Sequence, residues 1–248
     1  MITCEVCVEG IHGALAAEAG GAGRIELCAG LVEGGTTPSI GIIRQVLESV
    51  GIPVVVLVRP RGGDFLFSDH EIDTMLRDIE AVRDAGAFGI AIGTLTDQGD
   101  VDLQAMGEII DAAGGLSVTF HRAFDMARDP LESLETLIRL GVDRILTSGQ
   151  ERSVSEGLAL IRELVRVSEN RISIMPGGGV RETNIRDIVL ESGVREIHFT
   201  AFSTSPSAMI HRNHRPRMGA EAVAGEYERE STDPERVRRF LRALHNSD

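Results

Sequence analysis

The chain has 248 residues, 42% apolar and 25% charged, the balance of a soluble globular protein with material for a sizeable core rather than of a disordered segment. Its 25 basic and 38 acidic residues leave a formal charge of −13, a field that repels nucleic acid and anionic membrane surfaces. With no Trp and a single Tyr it also lacks platforms for stacking bases, so neither nucleic acid nor a membrane is an expected partner.

The start Met1-Ile2-Thr3-Cys4-Glu5 has no basic residue ahead of an apolar run, and no stretch approaches the roughly 18 apolar residues of a membrane span. A cytoplasmic location is expected. The three cysteines, Cys4, Cys7 and Cys28, are odd in number and sit close together near the start, which fits reduced thiols better than a disulfide framework.

In chain order, eight short apolar runs read as strands: Ile2 to Val8, Arg24 to Leu27, Pro53 to Val58, Phe88 to Ile92, Leu116 to Phe120, Arg144 to Thr147, Arg171 to Met175 and Arg195 to Phe199. Helical segments lie between them. In Asp69 to Ala85, for example, Ile72, Met75, Leu76, Ile79 and Val82 recur at spacings of three and four and form one apolar stripe. Between about 201 and 231 the pattern lapses into a long loop with a basic knot, His211, Arg212, His214, Arg215 and Arg217, followed by acidic residues. Thr232-Asp233-Pro234-Glu235 then caps an eighth helix whose apolar face is Val237, Phe240, Leu241 and Leu244. Eight such repeats predict an α/β fold, a single (β/α)₈ barrel domain over residues 1–248.

Active faces of such barrels lie at the carboxyl ends of the strands. Alternation along a strand points Glu5 and Cys7 inward from the first and Glu26 and Cys28 from the second. The same parity brings in Arg59, His121, Thr147 and His198 at the ends of strands three, five, six and eight. Glu5, Glu26, Arg59, His121 and His198 are therefore the candidate catalytic residues. Buried carboxylates need partners. Glu5 and Glu26 either pair with Arg24 or Arg59 as structural ions, or hold a metal, or move protons with pKa values raised by burial. Cys4 and Cys7 point to opposite faces and should not chelate together. Cys7 and Cys28 share the inner face of neighbouring strands, where they either fill space or offer two soft thiolates to Cu(I).

Three loops look suited to an anion. Gly177, Gly178 and Gly179 follow strand seven and offer backbone N–H groups, Ser148 adds a hydroxyl after strand six, and Arg61 adds charge after strand three.

Six ordered blocks carry a resemblance: Glu5-Val6-Cys7-Val8-Glu9, Arg24-Ile25-Glu26-Leu27-Cys28, Arg59-Pro60-Arg61-Gly62-Gly63-Asp64-Phe65, Thr119-Phe120-His121-Arg122-Ala123-Phe124-Asp125, Arg144-Ile145-Leu146-Thr147-Ser148-Gly149 and Ile174-Met175-Pro176-Gly177-Gly178-Gly179-Val180. From about Ile2 to Asn213 the chain closely resembles the CutC copper-homeostasis family. The resemblance implies a TIM barrel, a cytoplasmic role in copper homeostasis through Cu(I) held by Cys7 and Cys28, and a homo-oligomer, a dimer. Two thiolates leave the other polar residues unused. The alternative is an enzyme, an isomerase, lyase or hydrolase, acting on a small anionic or phosphorylated substrate. No organic cofactor motif stands out.

Overall fold

The computed structural model describes residues 2–216 and 225–245. Eight parallel strands, β1 Thr3–Glu9, β2 Arg24–Cys28, β3 Val54–Leu57, β4 Gly89–Ile92, β5 Ser117–Phe120, β6 Arg144–Thr147, β7 Ser173–Pro176 and β8 Glu196–Phe199, form the barrel. Helices follow them: α1 Gly10–Gly20, α2 Ile40–Ser49, α3 Asp69–Asp84, α4 Leu103–Ala113, α5 Pro130–Leu140, α6 Leu158–Ser168 and α7 Ile185–Ser192. The strands neighbour in the order β7-β6-β5-β4-β3-β2-β1-β8, so β8 returns to pair with β1. The remaining seam, between β7 and β8, carries no ladder in this order. Its two sides still touch, because a Cβ placed on Gly177 would stand 3.2 Å from that of His198.

The chain builds two apolar layers from the two faces of its strands. Outward residues such as Val6, Val8, Ile25, Leu27, Val56, Ile90 and Ile92 are buried against the helices, where α3 contributes Met75, Ile79 and Val82. Ser68 starts α3 through a capping box, its hydroxyl accepting from the N–H of Glu71 while the Glu71 carboxylate accepts from the N–H of Ser68. Inside the barrel a separate cluster holds only Cys7, Cys28, Val55, Leu57 and Ala91. Leu146 and Met175 also face inward, and around them the interior carries the polar side chains of Glu5, Arg24, Glu26, Arg144 and His198.

The barrel closes with α8 Pro234–His245. Asp233 accepts from the N–H of Glu235, as the sequence predicts, and Phe240 stacks on Phe199 with ring centroids 4.1 Å apart. Val237 lies so close to α1 that a Cβ on Gly20 would meet its Cβ at 2.5 Å, so Gly20 is what lets the first and last helices touch.

The stretch predicted as a loop from 201 to 231 is not all loop. β9 Phe202–Pro206 and β10 Glu228–Thr232 pair antiparallel as a ribbon after β8. Thr204, Ser205, Pro206, Glu228, Arg229 and Glu230 face solvent and only Thr232 is buried, so the ribbon has no apolar alternation for a sequence reading to find. Of the basic knot, His211, Arg212, His214 and Arg215 are exposed, and Arg217 lies outside the described residues.

Candidate functional site

Two polar tiers fill the barrel. In the lower one, Arg24 from β2 donates through Nε to Glu5 Oε2 at 2.5 Å and through Nη2 to Glu196. Arg144 from β6 donates to the same Glu196 at 2.5 Å and to Thr119 at 3.1 Å. Burial alone would push the Glu5 carboxyl up, but the hydrogen bond from His198 and the charge of Arg24 override it and hold it at about 2. Glu5 is an ionised structural carboxylate. Of its two sequence-predicted partners only Arg24 reaches it.

His198 links this tier to the next. Its Nδ1 lies 2.8 Å from Glu5 Oε1, and its Nε2 faces Glu26 Oε2 at 3.8 Å. Burial opposes the imidazolium, yet the charges of Glu26 and Glu5 outweigh it and raise the His198 pKa. Burial, with the charge of Glu5 adding to it, pushes the Glu26 carboxyl up. Glu26 Oε1 is buried with no partner among the described residues.

Cys7 completes the upper tier. Its Sγ stands 3.6 Å from that of Cys28, which also approaches the carbonyl of Val8 at 3.5 Å. In the ladder Cys7 lies across from Glu26 while Cys28 lies across from Glu9, so the two thiols meet along a diagonal. The contact with Cys28, then burial, then the charge of Glu26 raise the Cys7 thiol well above its ordinary value. One ligand atom each from Cys7, Glu26 and His198 lies within 4.8 Å of the others. Cys4 is buried in the outer layer instead, its thiol pushed up to about 12 by burial, in keeping with its outward parity.

This tier opens into a cavity of about 240 Å³ at the carboxyl ends of the strands. Cys7, Glu26 and His198 line its floor, Arg59, Phe65 and His121 one side, and Arg122, Gly178, Gly179 and Thr200 its mouth. His121 is 4% exposed, and its Nδ1 accepts from the N–H of Ala123 at 3.2 Å. Burial and then the charge of Arg59 lower its pKa to about 3, so the ring is neutral with its proton on Nε2. That N–H is buried without a partner among the described residues. A buried neutral histidine has a cost in acid: unfolded it takes up a proton near pH 6.5, folded only near 3, so the chain loses stability as pH falls through that window. The raised Glu26 has the opposite sign, and comparison with a variant isolates His121. The stability of His121→Phe should decline less between about pH 6.5 and about pH 4.5, by roughly 1 kcal/mol per pH unit in urea titrations. Equal slopes would mean that His121 is charged in the fold.

Several candidates are placed differently from the sequence reading. Arg59 lines the cavity but spends its guanidinium on carbonyls, Nη1 on Glu33 and Gly35 and Nη2 on Gly63, and it lies over Phe65. It fixes two loops. Arg61 donates to Glu71 at 2.6 Å and to the carbonyl of Leu66, away from the residues that line the cavity. Ser148 gives its hydroxyl to the carbonyl of Glu151 at 2.6 Å and receives Arg122 Nη2 at 2.9 Å, so it orders a loop behind the mouth. Thr147 is turned to Asp125, and Leu146 faces the cavity in its place, a one-residue error in parity on β6. Gly177 is demanded by packing, since a Cβ there would meet Leu146 at 2.5 Å, and its N–H is taken by the carbonyl of Thr147.

Arg122 and Asp125 carry more of the mouth than the parity argument allowed. Asp125 accepts from Arg122 Nε, Thr147 Oγ1 and the N–H groups of Ser148 and Gln150, tying the loop after β5 to the loop after β6. The signal available in sequence was their spacing of three in a loop after a strand.

Comparison with known proteins agrees with this fold. The CutC family model matches residues 2–203. A family protein CutC of Mesorhizobium japonicum is 51% identical over 229 residues, 92% of this chain and 89% of that protein. The human copper homeostasis protein cutC homolog is 49% identical over 94% of this chain and 86% of its own length. A solved CutC structure from Streptococcus agalactiae, described as a copper homeostasis protein, is 37% identical and superposes with a TM-score of 0.77 over 80% of this chain and 98% of that one. Phosphoribosylanthranilate isomerase of Pyrococcus furiosus, at 14% identity and a TM-score of 0.57, shares the barrel fold alone. This chain belongs to the CutC family.

Proposed function

We propose that this chain serves copper homeostasis in the cytoplasm by binding Cu(I) through the thiols of Cys7 and Cys28. The observation that carries the reading is the pair of buried, reduced sulfurs 3.6 Å apart beneath a cavity open to the strand ends. That separation is within the span of two metal–sulfur bonds of about 2.3 Å each. Two thiolates are the soft donors that select Cu(I) over harder divalent ions. The carboxylate of Glu26 and Nε2 of His198 stand close enough to Cys7 to add charge or a further ligand. A reducing compartment keeps both sulfurs as thiols, and no helix among the described residues is long and apolar enough to cross a membrane. The relatives named as copper homeostasis proteins support the same role.

The test is an anaerobic Cu(I) titration against a chromophoric chelator in the presence of glutathione. About one ion per chain is expected. The Cys7 thiol is held protonated by its contact with Cys28 and by burial, so the metal must displace that proton. Affinity should therefore rise with pH, by at least about tenfold per unit between about pH 6 and about pH 8. No binding, or binding independent of pH, would contradict the proposal.

A further inference from the structure

The copper reading leaves the mouth of the cavity unused. Two guanidiniums, those of Arg59 and Arg122, line the cavity beside the carboxylate of Glu26, although the chain as a whole carries −13. Arg122 engages Asp125 through Nε and Ser148 through Nη2, which leaves Nη1 without a protein partner among the described residues. Nη1 lies against the glycine run: a Cβ on Gly178 would stand 3.3 Å from it. Gly178 and Gly179 hold φ values of 103° and 79°, in the left-handed region. Their N–H groups donate to no protein acceptor among the described residues. Successive free amides beside a fixed guanidinium are an oxyanion receptor. His121 lines one side of the same cavity, and its buried Nε2–H also lacks an acceptor among the described residues. Of these donors His121 Nε2 is buried, where a missing acceptor is costly, while Nη1 of the half-exposed Arg122 and the amides of Gly178 and Gly179 are open to a ligand. Together they set four donors, unpartnered among the described residues, around one small cavity, an arrangement that suits an anion bearing a further acceptor.

We propose that the cavity binds a small organic anion, its phosphate or carboxylate held by Arg122 Nη1 and the amides of Gly178 and Gly179, and its carbonyl oxygen accepting from His121 Nε2. The anion site is distinct from the thiol pair and does not depend on copper. A neutral imidazole N–H polarises a carbonyl without surrendering a proton, so the arrangement suits ligands with a carbonyl near the anionic group. Arg61 and Ser148, singled out by sequence for the same task, are engaged elsewhere.

Titration of the ¹⁵N-labelled, metal-free chain, followed at the amides of Gly178 and Gly179, separates the ligand classes. One arm compares methyl phosphate with dihydroxyacetone phosphate, the other acetate with pyruvate, all at constant ionic strength. Saturable shifts at both glycines are expected in one arm, with the carbonyl-bearing member binding about tenfold tighter. His121→Phe should remove that difference and keep the simple anion. Arg122→Gln should weaken both members at least about tenfold, whereas Arg122→Lys should recover part of the loss. Cys7→Ser with Cys28→Ser should bind as the wild type does, so failure of the copper reading leaves this result intact. No saturable shift in either arm, an unchanged Arg122→Gln, or equal affinity for the members of each pair would overturn the proposal.

Discussion

Replacing Arg24 with methionine should destabilise the chain by about 3–5 kcal/mol, the range found when one partner of a buried ion pair is removed. Arg24 is 5% exposed and Glu5 is 1% exposed, so neither regains water when the pair is broken. Glu5 would keep only His198, and Glu196 only Arg144. The cost comes from a buried carboxylate, Glu5, and a part-buried one, Glu196, losing a shared cation rather than from the attraction lost between them. Removing one of those charges should therefore restore part of the stability, and Arg24→Met with Glu5→Gln should be more stable than Arg24→Met alone. Urea unfolding of the three proteins at pH 7 checks this. A loss below about 1 kcal/mol for the single variant would show that the lower tier is hydrated and behaves as a surface network.

The acid limb offers a second view of the same pair. With its pKa held at about 2, Glu5 contributes stability that is present above the unfolded value near 4.5 and is lost as pH falls toward 2. The Glu5→Gln variant should lack that part of the acid transition.

Serine at either Cys7 or Cys28 should lower Cu(I) affinity by at least about two orders of magnitude, more than the loss usual for a residue that merely orients a ligand. A hydroxyl is nearly the shape of a thiol but is a hard donor, so the fold should survive while the soft site does not. Cys4→Ser provides the contrast: the same substitution, in the outer apolar layer, should leave copper affinity unchanged and affect stability alone. If Cys7→Ser and Cys28→Ser retain affinity, the metal has other ligands, and Glu26 with His198 become the candidates.

The strands were legible because a strand buried on both faces must be written as a short apolar run, and each of the eight such runs overlaps an observed strand. Alternation also placed Glu5, Cys7, Glu26 and Cys28 inside the barrel, since a period of two leaves no other choice once the apolar residues face the helices. It failed on β6, where Ile145 and Thr147 share a face and Leu146 turns to the cavity. Partner choice was not legible. Which carboxylate an arginine meets depends on barrel stagger and loop path, so Arg24 spanning Glu5 and Glu196, Arg59 turning to three loop carbonyls and Arg61 turning to Glu71 all required coordinates. The ribbon of β9 and β10 escaped for another reason: most of it is exposed and its one buried residue is Thr232, so it has no hydrophobic period to read.

Sulfur is the donor on which Cu(I) binding at Cys7 and Cys28 depends. Copper K-edge X-ray absorption of the Cu(I)-loaded chain, prepared without oxygen, reads the ligand atoms directly. Sulfur neighbours from Cys7 and Cys28 are expected in the first shell, and their signal should halve in the Cys28→Ser protein. A shell of nitrogen and oxygen alone in the wild-type chain would contradict the thiol site.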